Sequence, residues 1–150
     1  MSQKTHVAQT TPFRWEGIPV LAYKEDGGTH FKAITRQVLL GGEAGLGAEL
    51  RYFEIAPGGH STLERHDHEH SVMVIRGRGR VVVGGEVHGL GTNDLVRVPP
   101  QTWHQFRATE GEPLGFLCLV RSERDKPRRP SAEELAAMRS DPKLGEFIRV

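Results

Sequence analysis

The chain has one cysteine, Cys118, among its 150 residues, so no internal disulfide can hold it together and a reducing cytoplasm fits its composition. It has no apolar run near the roughly eighteen residues that a bilayer-spanning helix needs. The run FLCLV at 116–120 is only strand-sized. The first residues, MSQKTHVAQTTPF, lack the apolar stretch of a secretory signal. A dominant sign of charge is missing as well. With 20 Lys and Arg against 19 Asp and Glu, the formal charge is +1, too little to gather nucleic acid or an anionic membrane. No segment repeats, which with the length excludes a two-barrel chain. What remains is one soluble domain with a single core.

Glycine is plentiful: 18 glycines and 9 prolines punctuate short runs rich in Val, Ile, Leu and Phe. Strands are predicted over 31–40, 48–56, 71–75, 79–84, 86–90, 94–99, 103–108 and 114–120, with a His-rich strand-like stretch near 60–70. Such spacing points to an antiparallel barrel or jelly roll rather than βαβ units. Gly84-Gly85 occupies the place of a two-residue hairpin, and Gly77 and Gly79 that of a tight turn. Residues 1–12 read as a loose arm, 13–120 as the barrel, 121–130 as a linker and 131–150 as a helix and tail. The linker, RSERDKPRRP, carries five basic and two acidic residues. A short charge run of this kind is ordinarily solvated, and a phosphate-binding role for it is the weaker reading. Ser131 with Glu134 makes a capping box, so a short helix should run to Asp141-Pro142 and pack through Leu135 and Met138.

The chemistry concentrates in Glu64-Arg65-His66-Asp67-His68-Glu69-His70. On a strand, Glu64 and His66 share a face and come within reach of one ion. A turn or bulge at 67–69 would return His70 to that face, whereas strict alternation would bring in His68 instead. Imidazole and carboxylate donors without thiolates suit one divalent transition metal, Mn, Fe, Ni, Co or Zn, and not a cysteine zinc knuckle.

These residues resemble the two motifs of the cupins, G-x5-H-x-H-x3(or 4)-E-x6-G and G-x5-P-x-G-x2-H-x3-N. Gly58, Glu64, His66, His70 and Gly77 fall at the spacings of the first, and Pro99 to His104 fall on P-x-G-x-x-H of the second. The resemblance implies an all-β double-stranded β-helix (a jelly-roll barrel) with a short C-terminal helix, often a homodimer, with a metal inside held by Glu64, His66, His70 and His104. His68 is the alternative third ligand. The departures are specific. Glutamate and histidine have exchanged places at 64 and 70, Gln101 and Asn93 stand where glycines are usual, and Ala108 replaces the closing Asn.

Phe106, two residues beyond His104, should face inward and line the pocket, while Trp103 should pack outside. His60 reads as a solvated residue at a strand start, and His6, His30 and His88 as surface residues. Arg51, Arg97 and Arg107 are candidate anchors for an acidic substrate group, and Cys118 reads as a small core residue. Four protein ligands in an octahedral shell leave two positions for a small anionic or enolate ligand, whereas zinc would be saturated. The sequence therefore predicts a metal-dependent small-molecule enzyme, with oxygenase chemistry ahead of isomerase or lyase chemistry. A non-catalytic ligand-binding or sensing barrel with a structural metal is the alternative.

Overall fold

The computed structural model describes residues 4–24, 28–41 and 45–150. Eleven strands and two helices follow in order: β1 (Gln9–Thr11), β2 (Arg14–Trp15), β3 (Leu21–Ala22), β4 (Lys32–Leu40), β5 (Ala48–His60), β6 (His70–Gly77), β7 (Gly79–Val83), β8 (Glu86–Leu90), β9 (Leu95–Val98), β10 (His104–Ala108), β11 (Leu114–Arg121), α1 (Ala132–Arg139) and α2 (Pro142–Phe147). Nine strands make one curled antiparallel sheet, ordered β8-β7-β10-β5-β11-β6-β9, with β4 also on β5 and β3 on β4. The expected all-β barrel is present.

Strand β5 makes the curl. Its first part, to Ile55, lies between β4 and β11, and its last residue, His60, faces Lys32 of β4 and Arg107 of β10. The sequence divides this strand after residue 56 because of Pro57-Gly58-Gly59, but the chain bends through those residues without leaving the sheet. Gly58 takes φ +75°, and a side chain at Gly59 would press on the Lys32 carbonyl.

Alternation along the strands builds two apolar layers. Phe116 and Cys118 of β11, Val72 and Val74 of β6, Phe53 and Ile55 of β5 and Phe106 of β10 point inward, as expected for Phe106 and Cys118. Phe116 stacks on Phe53 and Phe106 at centroid distances of 5.6 and 4.5 Å, which sets an aromatic floor across the barrel. Outside the barrel, Val82 and Leu63 are covered by Leu144, Phe147 and Ile148, with Trp103, Leu135 and Met138 at the edge.

Helix α1 begins with the predicted capping box at Ser131 and Glu134, but it buries no residue. The anchor is α2, which buries Leu144 and Phe147 and lies beyond the one helix expected from the sequence. Asp141-Pro142, taken as a stop, is instead the N-cap and first turn of α2, with the Asp141 carboxylate accepting from the Lys143 and Leu144 amides. Residues 9–11, read as part of a loose arm, pair with β2. Phe13, just beyond them, stacks on the outward-facing, buried Tyr52 at 5.6 Å.

Glycine is replaced at two turns without loss of the turn. Asn93 and Gln101 adopt φ +75° and +52°, and the Gln101 amide donates to the His66 carbonyl at 2.7 Å. The left-handed conformation costs a non-glycine residue roughly 1–2 kcal/mol, partly offset in glycine by its greater freedom when unfolded. Gln101→Gly is therefore expected to raise unfolding stability by about 0.5–1 kcal/mol in urea titration. Phe147→Ala should lower it by about 3 kcal/mol.

Candidate metal centre

Residues 61–69 are not a continuous strand. Glu64 and Arg65 form isolated bridges to His104 and Arg128, and the chain bends at Asp67 and His68 before entering β6 at His70. Glu64 and His104 exchange backbone hydrogen bonds, Glu64 N to His104 O at 3.2 Å and His104 N to Glu64 O at 3.0 Å. Directly paired residues share a face, so this bridge turns Glu64 and His104 into one cavity. The Gln101 amide on the His66 carbonyl ties the next residue pair. The bend then returns His70 to the same side.

The outcome is a cluster in which one ring nitrogen each from His66, His70 and His104 lies within 4.8 Å of the others. Two tautomers follow from their partners, because a carbonyl only accepts. His66 Nδ1 donates to the His68 carbonyl at 2.6 Å and His104 Nδ1 to the Thr102 carbonyl at 2.9 Å. Each therefore presents an Nε2 lone pair, and His66 Nε2 is buried without a hydrogen-bond partner among the described residues. Leaving such an atom bare is unfavourable. A divalent cation would satisfy it, and three neutral imidazoles suit a borderline transition ion. Carbonyl acceptors behind metal-facing imidazoles are the usual support of such ligands.

The electrostatics agree. Burial, reinforced by His104 and His68, pushes His66 down to about 4. Burial and the neighbouring His104 and His66 hold His70 far below the usual imidazole range, and burial likewise lowers His104. All three stay neutral at pH 7, as metal ligands must.

Glu64 and His68 stand beside the cluster. The Glu64 carboxylate faces the same cavity, but its Oε2 accepts from Lys24 Nζ at 2.8 Å. His68 stacks on His66 at a centroid distance of 3.8 Å and places Nε2 3.3 Å from His70 Nε2. Its Nδ1 donates to Asp125 Oδ1 at 2.8 Å, and the same carboxylate accepts from the Asp67 and His68 amides. Those bonds, the Asp67 amide first, hold Asp125 well below the usual carboxylate range. Asp125 lies in the stretch read as a plain linker, and only the fold shows that it orients the bend.

The cavity above the cluster has a volume of about 180 Å³, and its wall includes Tyr23, Lys24, Arg51, Phe106, Cys118 and Arg124. Lys24, Tyr23 and Arg124 carry no recognisable motif and were missed in the sequence. The other candidates lie elsewhere. Arg97 is exposed and paired with Glu69, and Arg107 donates to the Phe147 carbonyl under the C-terminal helix, so neither reaches the cavity. Trp103 packs outside, beneath the guanidinium groups of Arg65 and Arg128 at 4.6 and 5.2 Å. His60 ends β5 half-buried rather than opening a strand in solvent. His6 and His88 are exposed, and half-buried His30 packs against Phe31.

Residues 51–120 match the family model for the cupin domain. A curated relative, the 1-methylthio-D-xylulose 5-phosphate methylsulfurylase of Rhodospirillum rubrum, is 53% identical over 91% of this chain and 86% of its own. The chain belongs to the cupin superfamily. Among solved structures, a cupin 2 conserved barrel domain protein from Rhodopseudomonas palustris is 46% identical, covers 97% of this chain and all of its own (100%), and superposes with a TM-score of 0.92. A cupin-2 domain from Rhodospirillum rubrum is 51% identical over 95% of this chain and 94% of its own, with a TM-score of 0.85. No helix among the described residues of this cupin is long and apolar enough to cross a membrane.

For the metal-free cupin the sign of the pH dependence is fixed by His66. Its folded value of about 4 lies below the ordinary 6.5, so the unfolded chain binds the proton first as pH falls. The contribution of His66 to stability is fully present above about 6.5 and is lost progressively towards about 4. Thermal melting of metal-free protein across that window checks this, and a flat melting temperature would contradict a neutral buried His66.

Proposed function

We propose that this cupin is an enzyme that binds one divalent transition metal, Mn, Fe, Ni, Co or Zn, and acts on a small phosphorylated ketose in the reaction class of its Rhodospirillum rubrum relative. The observation that carries this reading is the orphaned His66 Nε2 in a three-histidine cluster that opens into a cavity with basic side chains. The relative's substrate supplies the ligand class: a ketone with a methylthio group on the adjacent carbon and a phosphate at the far end.

His66, His70 and His104 would hold the ion, with Glu64 as a fourth donor and His68 next in reach. A bound divalent ion supplies Lewis-acid polarisation of a carbonyl, which stabilises negative charge on the ketone oxygen. The chain's own residues do the rest. Carbonyl acceptors on His66 and His104 fix the ring tautomers, and Asp125 fixes the bend that carries His68. Lys24 pairs with Glu64 at 2.8 Å. The Tyr23 hydroxyl, held protonated by burial and by the Glu64 charge, can donate into the cavity. Phe53, Phe106 and Phe116 exclude water from below. Carbon–sulfur chemistry beside a ketone needs enolate stabilisation rather than dioxygen, so lyase, isomerase or transfer chemistry precedes oxygenase chemistry in this proposal.

Untagged protein is expected to carry about one equivalent of a divalent metal, lost in His104→Ala. It should also consume 1-methylthio-D-xylulose 5-phosphate in the presence of a thiol: the carbon–sulfur bond breaks with its electron pair left on the enolate carbon, the methylthio sulfur forms a disulfide bond with the thiol sulfur, and the thiol's proton goes to that carbon. The rate should fall about a hundredfold or more in His66→Ala. Zinc without turnover would favour the non-catalytic binding barrel, and an absence of metal in the parent protein would overturn the centre itself.

A further inference from the structure

Among the described residues, the cavity wall carries four cations, Lys24, Arg36, Arg51 and Arg124, against one carboxylate, Glu64. Their partners divide them. Lys24 pairs with Glu64 at 2.8 Å and Arg124 with Glu49 at 2.6 Å, while Arg36 Nε donates to the Ala22 carbonyl at 3.1 Å. Arg51 has no carboxylate in ion-pair range among the described residues. Its Nε is buried without a hydrogen-bond partner, its Nη2 reaches only the Cys118 sulfur at 3.6 Å, and its guanidinium lies 4.9 Å from the centre of the Phe53 ring. A half-buried cation with bare donors is costly unless an anion completes it.

The sheet register places Arg51 to meet a ligand. It lies opposite Cys118 of β11 and Val38 of β4, on the inward face shared with Phe53. Arg36 is the direct partner of Phe53 on β4, which makes Arg36 and Arg51 diagonal neighbours on that face. Arg51, His70 and His104 line the same cavity, so the guanidinium shares the space of the histidine cluster rather than a remote surface. A guanidinium fork takes two oxygens of a phosphate or carboxylate at once.

We propose that Arg51, flanked by Arg36 and Lys24, is the anion subsite of this cavity and takes the phosphate group of the ligand, with Arg51 as the principal contact. The assignment rests on the reading of the cavity as a site for a phosphorylated small molecule. It adds which side chain recognises the phosphate. Arg124 is excluded from the principal role because Glu49 already holds it.

The test uses metal-loaded full-length protein and calorimetric titration with D-xylulose 5-phosphate, D-xylulose and inorganic phosphate. D-xylulose 5-phosphate lacks the methylthio group and so reports binding without turnover. The parent protein should bind it at least about tenfold more tightly than D-xylulose, the scale of one charge-assisted contact. Arg51→Met should abolish that preference while metal content stays at the parent's level. Arg97→Ala, which removes an exposed cation paired with Glu69, should leave it intact. No preference in the parent, or an undiminished one in Arg51→Met, overturns the subsite. If Arg51→Met fails to fold, Arg51→Lys decides: a preference cut several-fold supports the fork, and a full preference overturns it. Turnover with unaltered phosphate recognition in the Arg51 variants would reject the subsite and keep the enzyme reading. Arg51-dependent binding without turnover of 1-methylthio-D-xylulose 5-phosphate would do the reverse.

Discussion

The reciprocal backbone hydrogen bonds between Glu64 and His104 hold the centre together. One partner lies in irregular chain after β5, and the other opens β10. Because paired residues on adjacent chains share a face, that contact decides that Glu64 and His104 look into the barrel together. The neighbouring Gln101–His66 bond extends the same constraint to His66. The bend at Asp67 and His68, fastened by Asp125, then needs only to bring His70 round. The support for the three imidazoles thus comes from backbone geometry and one distant carboxylate, with little demand on side-chain packing within the cluster.

Much of this was legible in the residues. Alternating apolar positions gave β4, β6 to β11 and the inward set that includes Phe106 and Cys118. The resemblance to the cupin motifs, through the spacing of His66 and His70 to Gly77 and the context of His104, anticipated that these three rings come together, whereas strand alternation alone would have brought in His68. The illegible parts share a cause: their partners lie far along the chain. Asp125 looked like any acid in a charged linker, and its role exists only where the linker passes the bend. Lys24 precedes a stretch with no period, yet it meets Glu64 across 40 residues of chain. Helix α2 was hidden because Asp-Pro stops one helix as readily as it starts another. Glu64 matched the motif spacing and does face the cavity, but local spacing could not show that a lysine would hold it there.

The departures from the family pattern have separate physical consequences. Exchanging Glu and His between positions 64 and 70 places the carboxylate on the bridge to β10, beside Lys24, instead of on β6. Replacing turn glycines with Asn93 and Gln101 leaves the turns in the left-handed conformation and transfers the cost to global stability. Gln101 remains in place because its amide, and not its side chain, is what the His66 carbonyl needs.

The same bridge also bears on timing. Its partners are 40 positions apart, and β6 to β9 must be laid down between them before the pair can close. A nascent or partly unfolded chain therefore offers an ion Glu64, His66, His68 and His70 on one short stretch but not yet His104. Any ion the centre takes would enter late, on an already closed barrel. Cellular loading would then reflect which ions are free when folding finishes.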